Sequence, residues 1–222
     1  MARPSELTRH SLIEAATEVF AEHGYEAGSV RLITQRAKAN QAAIAYHFGG
    51  KDGLYREVLK NARHMVDEYR LLDEDEVDRL EPGEALRLYL RQHLLPLVER
   101  GRISRYARIF AWESVRPSLV FRDFIAREPP PMFVLAGRVV RRFLPADASE
   151  AEVAITTHWL VQQPLAFVRD ADFLSRPPFL LAFDPAFVDQ LAVTLTRLAL
   201  AGLTGGVAAR PEAGLAKAAL LR

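Results

Sequence analysis

Apolar residues recur along this chain at helical spacing, and no strand alternation is visible. Leu12, Ile13, Ala16, Val19 and Phe20 share one face, Glu14, Glu18, Glu22 and Arg9 the other, and Gly24 stands where a C-terminal stop belongs. That pattern predicts a first helix over Glu6 to His23. Ser29 is placed to cap a second, in which Val30, Ile33 and Ala37 fall at i, i+3 and i+7. Asn40 is placed to cap a third, in which Ile44 and Phe48 share a face and Gly49-Gly50 ends the run. A fourth begins at Lys51 and carries Leu54, Tyr55, Val58, Leu59 and Ala62 towards Tyr69. The acidic stretch Leu72 to Gly83, with its Pro and Gly, reads as a connection.

Downstream, the spacing predicts helices over about 84–99, 103–116, 119–126, 131–143, 149–168 and 185–203, separated by Pro129-Pro130-Pro131, Pro145 and Pro177-Pro178. The fold class is therefore all-α, with an N-terminal three-helix unit over 1–50 and a larger helical unit over 51–204. The Ala- and Gly-rich tail, 205–222, is expected to be poorly ordered.

Composition narrows the reading. At 222 residues and 50% hydrophobic the chain can bury a sizeable core. With no cysteine, disulfides, thiolate metal sites and cysteine nucleophiles are excluded. Met1 to Leu12 lacks an apolar core of the signal-peptide kind, so the expected location is cytoplasmic. The longest apolar stretch, Leu191 to Ala209, is broken by Arg197, three threonines and Gly-Gly, so we expect it to fall short of a membrane span. The net charge of +1 says little, but its distribution says more. Between Ser29 and Lys51 lie Arg31, Arg36, Lys38 and Lys51 and no acidic residue, whereas Glu6 to Glu26 holds five acids and one Arg. One short segment is locally cationic.

That segment is also where two short capped helices meet in a helix-turn-helix. Val30, Ile33, Ala37, Ile44 and Phe48 are expected to pack on the first helix, leaving Gln41, Ala42, Ala45 and Tyr46 outward. Small residues there admit a DNA major groove, Gln41 suits base edges, and Tyr46 suits a base or phosphate. Lys51, opening the fourth helix, suits a backbone phosphate. The opposing reading is a three-helix cap whose aromatics only pack.

Residues 8 to 59, with Gly-Tyr after the first helix, Ser-Val-Arg opening the second and the run Tyr-His-Phe, Lys, Leu-Tyr, resemble the DNA-binding domain of the TetR family of bacterial regulators. The resemblance implies DNA contacts from Ser29, Arg31, Asn40, Gln41, Ala42, Ala45, Tyr46, His47 and Lys51. Three positions depart from the family pattern: Lys38 replaces the usual turn glycine, Leu32 a common polar residue, and Ala45 a tyrosine that often binds phosphate.

The larger unit resembles the helical domains with which this family dimerises and binds effectors, and the run RIFAWESVRPSLVFRDFI resembles a subset sometimes called CerR-like. His93, Trp112, Glu113, Arg116, His158, Trp159 and Gln162 are polar or aromatic residues in otherwise apolar helices and are candidates to orient a small, largely apolar ligand. No HExxH or ExxH spacing occurs, so no metal, cofactor or catalytic role is expected. Trp159, Leu160, Gln163, Phe167, Phe187, Leu191, Leu195 and Leu198, on the last two long helices, are candidates for the two-fold interface that the resemblance implies. The expected protein is a homodimeric regulator, released from an inverted-repeat site on double-stranded DNA by a ligand that changes the spacing of its recognition helices. The alternatives are a helical enzyme with an accessory N-terminal unit and a DNA-binding protein that answers to protein partners alone.

Overall fold

The computed structural model describes residues 4–68, 72–99, 102–127 and 129–205. Among the described residues every regular element is helical: α1 (Pro4–Ala27), α2 (Val30–Ala37), α3 (Gln41–Phe48), α4 (Lys51–Glu68), α5 (Glu74–Arg79), α6 (Pro82–Leu94), α7 (Arg102–Val115), α8 (Leu119–Arg127), α9 (Pro131–Arg141), α10 (Glu150–Leu174) and α11 (Pro185–Gly205). The expected tail lies outside the described residues, apart from Gly205 at the end of α11.

Two apolar cores organise the chain. The first joins α1 to α4 through Leu12, Val19, Phe20, Ile33, Ile44, Leu54, Tyr55 and Val58, and it takes in Tyr106 and Ile109 of α7 and Val120 and Phe121 of α8. Phe20 and Tyr55 meet edge to face at 4.8 Å within it. Burying side chains of this size contributes about 1.5–3 kcal/mol each, so the first core binds the small N-terminal helices to α7 and α8 as well as to each other. It does not stop at residue 50. The second core gathers Leu72 and Val77 with the inner faces of α6, α9, α10 and α11.

The helix starts follow from local chemistry. Ser29 Oγ accepts from the Leu32 amide at 3.1 Å and Asn40 Oδ1 from the Ala42 amide at 3.0 Å, each satisfying an N–H left over at a helix start. Gly24, at φ 72 and ψ 174, breaks α1 at the expected stop, and Tyr25 to Ala27 continue as a separate turn. Gly49 ends α3 in the left-handed conformation.

Two predicted boundaries are corrected. Leu72 to Gly83 is more than a connection, because α5 forms inside it. Asp73 Oδ1 accepts from the Glu76 amide while Glu76 Oε2 accepts from the Asp73 amide, both at 2.8 Å, a reciprocal capping box. Arg142 donates to the carbonyls of Val77 and Leu80, which holds the other end of α5 to the chain beyond α9. The helix predicted to end at Val168 runs on to Leu174, with buried Pro164 inside it. Pro185–Thr204 is long and apolar enough to cross a membrane by length and composition alone, a test that the core helix of a soluble protein also passes. One face of it packs on α6, where Arg91 Nε donates to Asp189 at 2.7 Å.

Candidate nucleic-acid interface and effector region

With Ile33 and Ile44 buried and Val30, Ala37 and Phe48 packed at the rim of the first core, α2 and α3 present their remaining faces outward. Ser29, Arg31, Asn40, Gln41, Ala42, Ala45 and Tyr46 are exposed, and His47 and Lys51 are half-buried. Tyr46 is 83% exposed although it is a large aromatic, with the neighbouring His47 ring centroid at 4.9 Å. The nine residues belong to the start of α2, the length of α3 and the start of α4.

The cationic stretch is less uniform than its sequence. Arg36 is turned back on α1, with bidentate hydrogen bonds to Glu22 at 2.9 and 2.6 Å, and Arg36 in turn holds the Glu22 carboxyl below the usual carboxylate range. Lys51 Nζ donates to the Glu26 carbonyl at 3.2 Å and lies 4.5 Å from the Tyr25 ring centroid, and partial burial lowers its pKa. Tyr25 OH donates in turn to Asp52. Lys51 thus closes the turn after α1 against α4, with two of its three donors left over. Arg31 and Lys38 have no ion-pair partner among the described residues, and they carry the outward positive charge.

Two close fits place α3. Lys38 ends α2 at φ 51 and ψ 40, the left-handed conformation that suits the glycine usual in this turn. A Cβ on Gly53 would stand 1.8 Å from the Phe48 carbonyl oxygen, so glycine lets α4 start directly beneath the end of α3.

The candidate effector residues are not brought together. Glu113 is a buried carboxylate satisfied within the first core: Oε1 accepts from Tyr55 OH at 2.7 Å and Ser118 Oγ at 2.9 Å, and Oε2 from the Ser118 amide at 2.6 Å. It ties α4 to the turn between α7 and α8, so it is corrected from ligand contact to internal tie. Trp112, one residue earlier, faces the opposite way. Its Nε1 donates to the Ala21 carbonyl at 3.2 Å and its ring covers Gly24, beside a cavity of about 170 Å³ among α1, α7 and α10. Arg116, His158 and Trp159 are exposed and Gln162 is half-buried. His93 lies in α6 against the Tyr89 ring, its Nδ1 2.7 Å from the Tyr89 carbonyl, and desolvation pushes its pKa down to about 4. Among the described residues, no group of three His, Asp or Glu is placed to hold a metal ion.

The interface candidates divide between two faces. Leu160, Leu191 and Leu195 are buried in the second core, with Phe167 and Phe187 packed against it. Leu160, Leu191 and Leu195 are corrected to protomer core. Trp159 and Leu198 lie on the other side, half-buried Gln163 donates back to the Trp159 carbonyl, and Ile155 and Val193, which the pattern did not single out, are 71% and 58% exposed.

A capped helix-turn-helix joined to a larger all-α body is an arrangement suited to a DNA-binding regulator. Residues 12–58 match the model of bacterial regulatory proteins of the tetR family, and residues 82–203 match the C-terminal domain of the HTH-type transcriptional dual regulator CecR. The second match spans more than half of the chain, and the chain belongs to the TetR family with a CecR-type C-terminal domain. CecR of Shigella flexneri is 25% identical over 204 residues, covering 88% of this chain and 91% of its own. Solved structures share the fold at lower identity. FadR of Bacillus subtilis in complex with stearoyl-CoA aligns with a TM-score of 0.62 at 16% identity over 87% of this chain and 98% of that one. AibR in complex with isovaleryl coenzyme A and operator DNA aligns at 0.61 and 18%, over 86% and 97%.

Proposed function

We propose that the protein is a homodimeric repressor that binds an inverted-repeat operator and is released from it by a small effector bound to its C-terminal helices. Residues 1–50 form the reading unit and residues 51–204 the effector and dimerisation unit. The observation that carries the proposal is the outward face of α3, where Gln41, Ala42, Ala45 and Tyr46 stand exposed on a helix fixed at both ends. Gln41 contacts a base edge, the two alanines admit the groove, and Tyr46 meets a base or phosphate. Ser29, Arg31, Asn40, His47 and Lys51 flank it along the backbone, with phosphate-facing donors setting register. The apolar surface of Ile155, Trp159, Val193 and Leu198 on α10 and α11 supports the two-fold interface. The effector reading has its support in FadR and AibR, both crystallised with acyl-CoA ligands.

Binding assays on two variants test the assigned roles. Gln41→Ala is expected to relax preference at one base pair at a cost of about 1–3 kcal/mol, and Lys51→Ala to weaken all sequences equally and reduce the salt slope by about one unit. Equal loss of sequence preference in both variants overturns the assignment.

A further inference from the structure

We infer that the cavity between α1, α7 and α10 is an effector site for a small zwitterion built on a single ring, an aromatic amino acid in chemical class. This rests on the proposed control of DNA binding by an effector and names where and what that effector is. The cavity is lined by Ala21 and Glu22 of α1, by Arg108, Ala111 and Trp112 of α7, and by Val168, Arg169, Ala171 and Asp172 of α10. At about 170 Å³ it has room for one ring, an apolar cavity of about 150 Å³ being enough to hold benzene. The 47% exposed Trp112 indole supplies an aromatic face, and the alanines and Val168 supply aliphatic wall.

Charge sets the rest of the ligand. Of the four ionic groups on the lining, two are already neutralised by residues outside it: Glu22 by Arg36, and Arg169 by Asp170 through two bonds of 2.9 Å. Arg108 and Asp172 have no ion-pair partner among the described residues, and they stand on different helices. Arg108 precedes Trp112 by one turn of α7, and Asp172 is on α10. A ligand carboxylate answers Arg108, a ligand ammonium answers Asp172, and the ring lies on Trp112.

The position gives such a ligand a direct hold on DNA binding. Ala21 and Glu22 belong to α1, whose other residues pack on α2 and α3, and Trp112 reaches α1 through its bond to Ala21. A molecule seated between α1 and the pair α7 and α10 sets the angle of the reading unit against the body. It acts through its different affinity for the operator-competent and operator-incompetent angles.

Isothermal titration of the full chain with L-phenylalanine, phenylacetate and phenethylamine tests the site, alongside operator titrations with and without each. L-Phenylalanine is expected to bind at least about tenfold more tightly than either singly charged probe, since each lacks one ion pair. Arg108→Gln should remove the advantage over phenethylamine and Asp172→Asn the advantage over phenylacetate, while Ala171→Phe, which fills the cavity and leaves both charges, should abolish binding of all three. Saturating L-phenylalanine should shift operator affinity by about 5- to 150-fold. No binding, equal binding of the three probes, or binding that the variants or the operator do not feel overturns the inference. In each of these cases tight binding of ligand-free protein to an inverted repeat leaves the regulator reading standing, and only loss of that binding brings it down.

Discussion

Lys38 occupies a left-handed position where a side chain strains the backbone by about 1–2 kcal/mol. Lys38→Gly is expected to raise stability by about 1 kcal/mol in urea unfolding, and an unchanged or lowered midpoint contradicts the strain. Gly53 is the reverse case: with a Cβ 1.8 Å from the Phe48 carbonyl oxygen, Gly53→Ala forces α3 and α4 apart and should cost about 1–3 kcal/mol by the same measurement. Glu113 answers three donors in the first core, so Glu113→Ala should cost about 3 kcal/mol, and a double-mutant cycle with Tyr55→Phe should be clearly non-additive. Additive effects show that Tyr55 and Glu113 do not act together. His93 supplies a pH dependence. Desolvation holds its folded pKa near 4 against about 6.5 in the unfolded chain, so between these values the unfolded state binds the extra proton. Stability from this group is full above about pH 6.5 and is lost as pH falls towards 4. His93→Phe should flatten that part of a stability-against-pH curve, and an unchanged slope contradicts the burial argument.

At the scale of the element, periodicity locates helices well and orients some of them poorly. The starts of α2, α3 and α10 were legible because Ser29, Asn40 and Ser149 are capping residues ahead of apolar repeats. The signal for α5 was also present, as Asp73 and Glu76 in capping-box spacing, but six residues are too few to show a period. The inner and outer faces of α11 were not legible, because both are apolar: Leu191 and Leu195 face α6 while Val193 and Leu198 face outward, and only tertiary packing separates them. Glu113 was ambiguous for a related reason. A carboxylate in an apolar helix reads as a ligand contact until Tyr55, fifty-eight residues away, is seen to reach it. The two faces of α11 make opposite predictions in analytical ultracentrifugation and thermal melting. Val193→Glu with Leu198→Glu should yield folded monomers, whereas Leu195→Ala should leave the dimer and cost the protomer about 2–5 kcal/mol. Monomers from Leu195→Ala with a dimer surviving the double glutamate variant place the interface elsewhere.

At the scale of the whole molecule, the first core makes the reading unit and the body mechanically continuous. α1 lies against α7, where Trp112 donates to Ala21, and Glu113 ties α7 to α4 through Tyr55. The proposed reading surface, Ser29 to Lys51, stands out in the sequence as a compositional anomaly, small residues and aromatics on a short capped helix with no acid among them. In the proposed dimer, a rotation of α7 is expected to carry α1 and α4 together, and through them the two recognition helices. The proposed dimer is expected to read half-sites about one helical turn apart, roughly 34–36 Å, with its own two-fold axis on the centre of the DNA site. Selection from random duplexes by the purified protein tests this most directly. The account predicts enrichment of an inverted repeat with half-site centres at that spacing, bound by two copies of the chain; enrichment of a single asymmetric site, or of no sequence at all, contradicts it.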